Sequence, residues 1–304
     1  MENLPETVKR CRLLGGDVDL VTPDQVIDYI GACVTARRKA VIANHNFHSL
    51  YLLRRSPAMA AFYAQADLIE ADSTPMILWG KLMGAPISRR HRSTYLDWRE
   101  AFWARARDRG WRVFFVGGAP GVADKAAQAV RARWPGVELH THHGYFDAAP
   151  DSQDSEMLRL RINANRPDIV LVGMGMPRQE QWILDNLEAL QSGVLLSIGG
   201  AFDFEAGVNA TPPRWLGRVG LEWAFRLVHE PRRLFSRYVV EPWFLVPGAL
   251  ADLAGALARR GRMTERPLTL PDHGLTRISG EAAAAKQQAP TKSETAAGAF
   301  SAAL

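Results

Sequence analysis

"DIVLVGMGMPRQEQWILDNL", residues 168–187, is the stretch on which the fold turns. Its first half, Ile169, Val170, Leu171 and Val172, leaves no polar side and predicts a strand buried on both faces. Its second half puts Trp182, Ile183 and Leu187 on one stripe and predicts an amphipathic helix. Between them Gly173–Met174–Gly175–Met176–Pro177 breaks the apolar run just before Gln179 and Glu180. Two readings fit such a break. It is an ordinary strand–helix corner with glycines for the turn, or it is the carboxyl end of a strand in an open α/β sheet, where ligands bind.

Working outward, similar strand-like runs recur at "AVIAN" (40–44), "ADLIEAD" (66–72), "WRVFFVGG" (111–118), "VELHTH" (137–142) and "GVLLSIGG" (193–200). Helix starts fall between them, such as Thr22–Pro23–Asp24 and Pro120. This alternation predicts an α/β fold, a Rossmann-like, doubly wound and mostly parallel sheet of about six strands, within residues 1–200. After Gly200 the texture changes to helical, aromatic and strongly basic, which predicts a C-terminal helical appendage over 201–262. Residues 268–304, ending in "GEAAAAKQQAPTKSETAAGAFSAAL", are of low complexity and predict a disordered tail.

The 304 residues are 47% apolar and 23% charged, an ordinary globular composition. The formal net charge is +5, so the placement of the basic residues matters more than their excess. Cys11 and Cys33 lie outside any metal-type spacing, and the default is a reduced, cytoplasmic protein. "MENLPETVKRCRLLGG" lacks the apolar core of a signal peptide. The most membrane-like stretch, residues 238–260, is interrupted by Glu241, Pro242, Pro247 and Asp252, so it is expected to lie on a membrane rather than cross one.

Several stretches could carry chemistry. Asp72 follows directly on a predicted strand and precedes a helix beginning near Thr74–Pro75, so it is either a general base at the ligand edge or a helix cap. Gly117, Gly118 and Gly121 form GGxxG rather than the dinucleotide GxGxxG, which leaves a plain turn or a diphosphate cradle. Arg89, Arg90 and Arg92 crowd one predicted loop, either as solvated surface or at the rim of an anion site. In the appendage Arg226, Arg232, Arg233 and Arg237 interleave with aromatics, a pattern that suits a packed basic hairpin, anionic headgroups or single-stranded nucleic acid. His140, His142 and His143 have no partner motif, and no metal is expected.

Five ordered segments together resemble the WecG/TagA/CpsF family of glycosyltransferases (glycosyltransferase family 26). They are "NHNFHSLYL" (44–52), "ADLIEADSTPM" (66–76), "VFFVGGAPGVADKA" (113–126), "DIVLVGMGMPRQEQWI" (168–183) and "GGAFDFEAGVNATPPRW…GLEWAFRLVHEPRRLFSRY" (199–238). The resemblance implies an inverting, metal-independent transfer from a UDP-sugar, itself a substrate and not a cofactor, to a polyprenyl-diphosphate-linked glycan in cell-surface polysaccharide synthesis. By this resemblance Asp72 is the general base, while Asn46, Arg90 and Gln179 are substrate-binding, the last turned toward the substrate by the glycine-rich corner. Gly117, Gly118, Gly173 and Met174 are the substrate-facing backbone of the two turns. Arg226, Arg233 and Arg237 correspond to the basic residues of the family's membrane-targeting appendage; Arg226 and Arg237 are expected to be substrate-binding as well, and Arg233 catalytic, reaching the leaving group.

Three departures concern substrate identity: Asp72–Ser73 for the family's Asp-Gly, Asn44–His45–Asn46 for Thr-x-Asn, and Arg89–Arg90 for Glu-Arg. Asn44 is therefore a further candidate. The implied partners are the donor, the lipid-linked acceptor, the anionic inner face of the cytoplasmic membrane and a second copy of the chain, with no nucleic acid. Two rivals stand beside this reading. A nucleotide-dependent oxidoreductase is opposed by the missing GxGxxG, and a non-enzymatic basic module gives no reason for the elaborated 168–183 turn.

Overall fold

A computed structural model describes residues 7–258 and 265–269. Its strands are β1 (Thr7–Leu13), β2 (Gly16–Asp19), β3 (Ala40–His45), β4 (Leu68–Ala71), β5 (Arg112–Gly117), β6 (Glu138–His142), β7 (Ile169–Gly173), β8 (Val194–Ser197) and β9 (Glu265–Thr269). The six runs read from the sequence become β3 to β8, which form one sheet in the order β4-β3-β8-β7-β5-β6 with every pairing parallel.

Alternate residues of each strand feed two different cores. Ile169 and Leu171 of β7 pack with Val113, Phe115 and Leu196 under the helices Pro23–Thr35, Tyr95–Arg109 and Val122–Arg133. Val170 and Val172 face the other way, onto Trp182 and Ile183 of Arg178–Asn186 and onto the helices Pro57–Gln65 and Gln153–Asn165. This is why the 168–173 run has no polar side. Burying each such aliphatic chain contributes about 1.5–3 kcal/mol, so the inner strands need no help from charge. A doubly covered parallel sheet is the result.

Two features escape the sequence reading. β1 and β2 form a hairpin turned at Leu14 and Gly15, both at positive φ, and β9 joins them in a separate antiparallel sheet of order β2-β1-β9. Asp19, fully buried, accepts from the Arg10 guanidinium at 2.7 and 2.8 Å and from the Ile69 amide at 2.7 Å, fastening this sheet beside β4. Because β9 lies at 265–269, the expected tail does not begin at 268; residues 270–304 lie outside those described.

After β8 the chain turns helical, as expected, through Ala201–Glu205, Arg214–Val219 and Glu222–His229. Glu230 leaves helical geometry at φ −135°, ψ 58°, and Pro231 then opens a continuous helical run, Pro231–Ala258. By length and composition alone this run of 28 residues is long and apolar enough to cross a membrane, a property the interruptions in its sequence did not suggest. One side of it is fixed to the protein. Glu241 meets His48 Nδ1 at 2.6 Å, Asp252 accepts from the Leu14 amide and Trp79 Nε1, and the Phe244 carbonyl accepts from Arg54.

Candidate active site

The carboxyl ends of β3, β4, β7 and β8 meet the C-terminal helices in one cleft. At the end of β3, Asn46 caps the helix Phe47–Leu53 by accepting from the Ser49 amide at 3.1 Å, and Ser49 Oγ returns to the Asn46 backbone. That box fixes the Asn46 side chain at the cleft. His45 lies beneath it, hydrogen-bonded to Ser49 Oγ at 2.9 Å and stacked on Tyr63 at 3.9 Å. Complete burial drives the His45 ring down to about 3, so it is a neutral support. Asn44 donates to the Ser197 carbonyl at 2.6 Å, tying β3 to β8 at the cleft floor.

Asp72 stands one residue beyond β4 and lines the same cleft. The capping alternative fails on geometry: Ser73 is the N-cap of Thr74–Leu82 and makes no side-chain cap, and the Asp72 carboxylate meets Asn46 Nδ2 at 3.5 Å instead. Desolvation pushes Asp72 up to about 6; Arg92 and Arg226 pull against that shift and Glu222 adds to it. A carboxylate so placed is ionised at neutral pH yet basic enough to take a proton.

The C-terminal segment supplies the positive charge. The break at Glu230–Pro231 folds its two halves toward the cleft, so Arg226 from one half and Arg233 and Arg237 from the other all line it. The Arg226 guanidinium sits over the Phe204 ring at 5.2 Å. Arg233 pairs with Glu230 at 2.5 Å and stays 64% exposed, whereas burial holds Arg237 below the usual arginine range. Arg226 and Arg237 are partly buried at the cleft, and Arg233 is open to solvent at its edge.

Other expected site residues sit elsewhere. Gln179 does not face the cleft. It is fully buried, its carbonyl accepts from the Gly175 and Gly199 amides, each at 3.2 Å, and its amide donates to Glu180 at 2.6 Å. It clips together the two loops that do line the cleft, and burial pushes its neighbour Glu180 up to about 7. Gly117 and Gly173 serve close backbone packing: a methyl on Gly117 would strike the Gly173 carbonyl, and one on Gly173 the Gly199 carbonyl. Gly118 accepts from the Gly144 amide at 2.8 Å, and Met174 packs on the second core. None of these four lines the cleft, which takes Gly175 and Met176 instead.

Arg90 is exposed on the short turn Arg89–His91, outside the cleft lining. Arg92, two residues on, is the arginine of that cluster drawn inward, bridging by its backbone to Ala71 and pairing with Glu222 at 2.5 Å. The cluster was visible in sequence, but which member turns inward depends on that bridge. Glu222 and Asp203, also in the cleft, lie within the family-like segment 199–238 but were not singled out from the sequence. Among the described residues no group of three or more His, Cys, Asp or Glu is arranged to hold a metal ion.

A parallel α/β sheet with an uncapped carboxylate at its carboxyl edge, faced by three arginines, defines an enzyme suited to an anionic substrate. Residues 11–258 match the glycosyl transferase WecG/TagA/CpsF family, and the chain belongs to it; it is a glycosyltransferase. It is similar to proteins of Staphylococcus aureus strains MW2 and NCTC 8325 / PS 47, each 26% identical over 232 residues, covering 73% of this chain and 85% of the relative. Both are named N-acetylglucosaminyldiphosphoundecaprenol N-acetyl-beta-D-mannosaminyltransferase.

Proposed function

We propose that the protein transfers a hexose, an N-acetylhexosamine or its uronic acid from a UDP-sugar to a polyprenyl-diphosphate-linked acceptor, with inversion and without a metal. The observation that carries this reading is one cleft holding both a carboxylate that caps no helix, Asp72, and the three arginines of the C-terminal segment. The acceptor hydroxyl attacks the anomeric carbon as Asp72 takes its proton, and the bond to UDP breaks with its electron pair leaving on the diphosphate. Arg226, Arg233 and Arg237 offset the charge that develops there. A single displacement of this kind inverts the anomeric centre. The S. aureus relatives are named for a diphosphoundecaprenol-linked N-acetylglucosamine acceptor, which supports the same acceptor class here. Asn44 and Ser73, where the family's pattern differs, are candidates for setting which sugar is taken.

We also propose that the enzyme works at the inner face of the cytoplasmic membrane. The outward side of Pro231–Ala258 carries Trp243, Leu250 and Leu257, 74%, 60% and 73% exposed, while its polar residues Glu241 and Asp252 are engaged with the protein. A helix held on one side and apolar on the other suits an interfacial position. The decisive assay screens a panel of UDP-sugars for transfer onto a short-chain polyprenyl-diphosphate N-acetylglucosamine, with the product's anomeric configuration read by NMR. One UDP-sugar should be transferred with inversion. A retained configuration, or transfer from a different nucleotide only, would overturn the mechanism or the donor respectively.

A further inference from the structure

Arg92 is held beside Asp72 by the backbone, through its bridge to Ala71 and the Ser93 amide donating to the Ala71 carbonyl at 3.0 Å. Its guanidinium pairs with Glu222 Oε2 at 2.5 Å and lies 3.6 Å from Asp97. Glu222 belongs to the C-terminal segment, opens the helix Glu222–His229 and lines the cleft with Asp72. Its other oxygen, Oε1, is buried without a hydrogen-bond partner. The segment closes tightly over this pair: Thr74 Oγ1 donates to the Gly217 carbonyl at 3.0 Å, and a methyl on Gly217 would run into both Glu222 and Arg92.

We propose that Glu222 is a positioning residue for the transfer, holding the Arg92 guanidinium off Asp72 so that seating the C-terminal segment frees Asp72 to act as the base. The proposal rests on Asp72 being that base. Without Glu222 the guanidinium keeps only the longer contact to Asp97 at 3.6 Å, and a guanidinium so weakly answered lowers the basicity of a neighbouring carboxylate. With Glu222 seated, the Arg92 charge is already answered. The charged and titratable groups acting on or beside Asp72 are Glu70 of the preceding strand, Tyr63, Arg92 with its second partner Asp97, and Glu222, Arg226 and Arg237 of the segment. Arg92 and Glu222 are bonded to each other, so removing either exposes the charge of its partner.

That gives a test with opposite signs. Kinetics with a water-soluble acceptor analogue should show the acid limb of kcat/KM moving to lower pH by about one unit in Glu222→Gln, where Arg92 is left to Asp72. In Arg92→Gln the limb should move to higher pH by a similar amount, because Glu222 is left unanswered beside the base. An ion pair that serves only to hold the fold lowers stability or the amount of active enzyme and leaves both acid limbs where they are. Limbs that move together, or that do not move, overturn the proposal. If one variant does not fold, the direction in the other decides: a limb moved to lower pH in Glu222→Gln, or to higher pH in Arg92→Gln, supports the proposal, and no movement or the reverse overturns it. Asp72→Asn separates the two layers: if it keeps its turnover, the base assignment fails, whereas if it loses turnover and the limbs move together, only the role of Glu222 fails.

Discussion

The parallel sheet and the C-terminal helices are held by different forces. Ile169, Val170, Leu171 and Val172 of β7 are fully buried, and both faces of their strand are covered by helices. The segment from 214 to 258 leaves Val228, Trp243 and Leu257 largely in solvent, buries few large apolar side chains such as Leu234 and Leu245, and relies more on individual polar contacts such as His48–Glu241 and Trp79–Asp252. Hydrophobic burial is additive over many residues and fixes a strand end rigidly. Scattered hydrogen bonds contribute about 1 kcal/mol each and can be exchanged. Asp72 thus stands at the end of the densely packed sheet, and Arg226, Arg233 and Arg237 stand on the more sparsely packed segment.

The largest break in that contrast would come at Asp72. Asp72→Asn keeps the shape of the rigid edge and removes its basicity, and turnover should fall roughly a hundredfold or more. In the unaltered protein the proton must be off Asp72 for it to act. With burial pushing that group up to about 6, turnover should fall about tenfold per pH unit below that value. Steady-state kinetics from pH 4.5 to 8 checks both. Near-normal turnover in the Asn variant would return Asp72 to a structural role.

The next effect belongs to the more sparsely packed segment. Replacing Trp243, Leu250 and Leu257 together by Ser should reduce partition onto anionic liposomes by about two orders of magnitude, since burying such a side chain contributes about 1.5–3 kcal/mol and an interfacial helix buries only part of it. Turnover on a water-soluble acceptor should be unchanged, because none of the three lines the cleft. Co-sedimentation beside a soluble assay reads the two separately. Loss of the soluble activity as well would mean that the outward face also holds the segment in place.

Arg233→Ala should have a smaller effect, about tenfold on soluble turnover, because a charge-assisted contact of roughly 1.5–3 kcal/mol is partly offset by solvent and by the Glu230 pairing at 2.5 Å. Full activity in this variant would leave the leaving-group role to Arg226 and Arg237.

The same contrast explains what the sequence could tell. β5, β7 and β8 were legible because residues buried on both faces must be almost wholly apolar, the edge strand β6 by its alternation of exposed and buried residues, and Asp72 because it stands directly after the β4 run. The β1–β2 hairpin was not, since its "TVKRCRL" strand alternates charge with apolar residues and half of it answers to Arg10–Asp19 pairing. The family resemblance singled out Gln179 but turned it toward the substrate, whereas the structure turns it inward. That orientation depends on the Gly175 and Gly199 amides converging on one carbonyl from two loops that are far apart in the chain. Arg92 and Glu222 are separated by 130 positions, and their pairing is set by the bridge at Ala71 and by how the segment closes at Gly217. A pattern read along the chain carries burial; it does not carry encounters of that kind.

The smallest expected effect is none at all. Transfer should survive EDTA if the arginines answer the diphosphate. A departing UDP needs positive charge, which a divalent cation or fixed guanidinium groups can supply. Three carboxylates line the cleft, Asp72, Asp203 and Glu222, and they are the groups that would attract a cation. Glu222 is already paired with Arg92 at 2.5 Å, and Asp72 is within the field of Arg92 and Arg226. Asp203 is left, half-shielded by burial that raises its pKa and by the Arg233 charge that lowers it. One carboxylate makes a weak divalent site, since even magnesium, which keeps several waters, takes one or two carboxylates together with the phosphates of its substrate. Turnover measured after chelation and gel filtration should therefore match the untreated enzyme. Complete loss restored by Mg²⁺ or Mn²⁺ would show that the donor's diphosphate brings Asp203 a metal partner, and would move the leaving-group chemistry from the segment's arginines back to the rigid sheet edge.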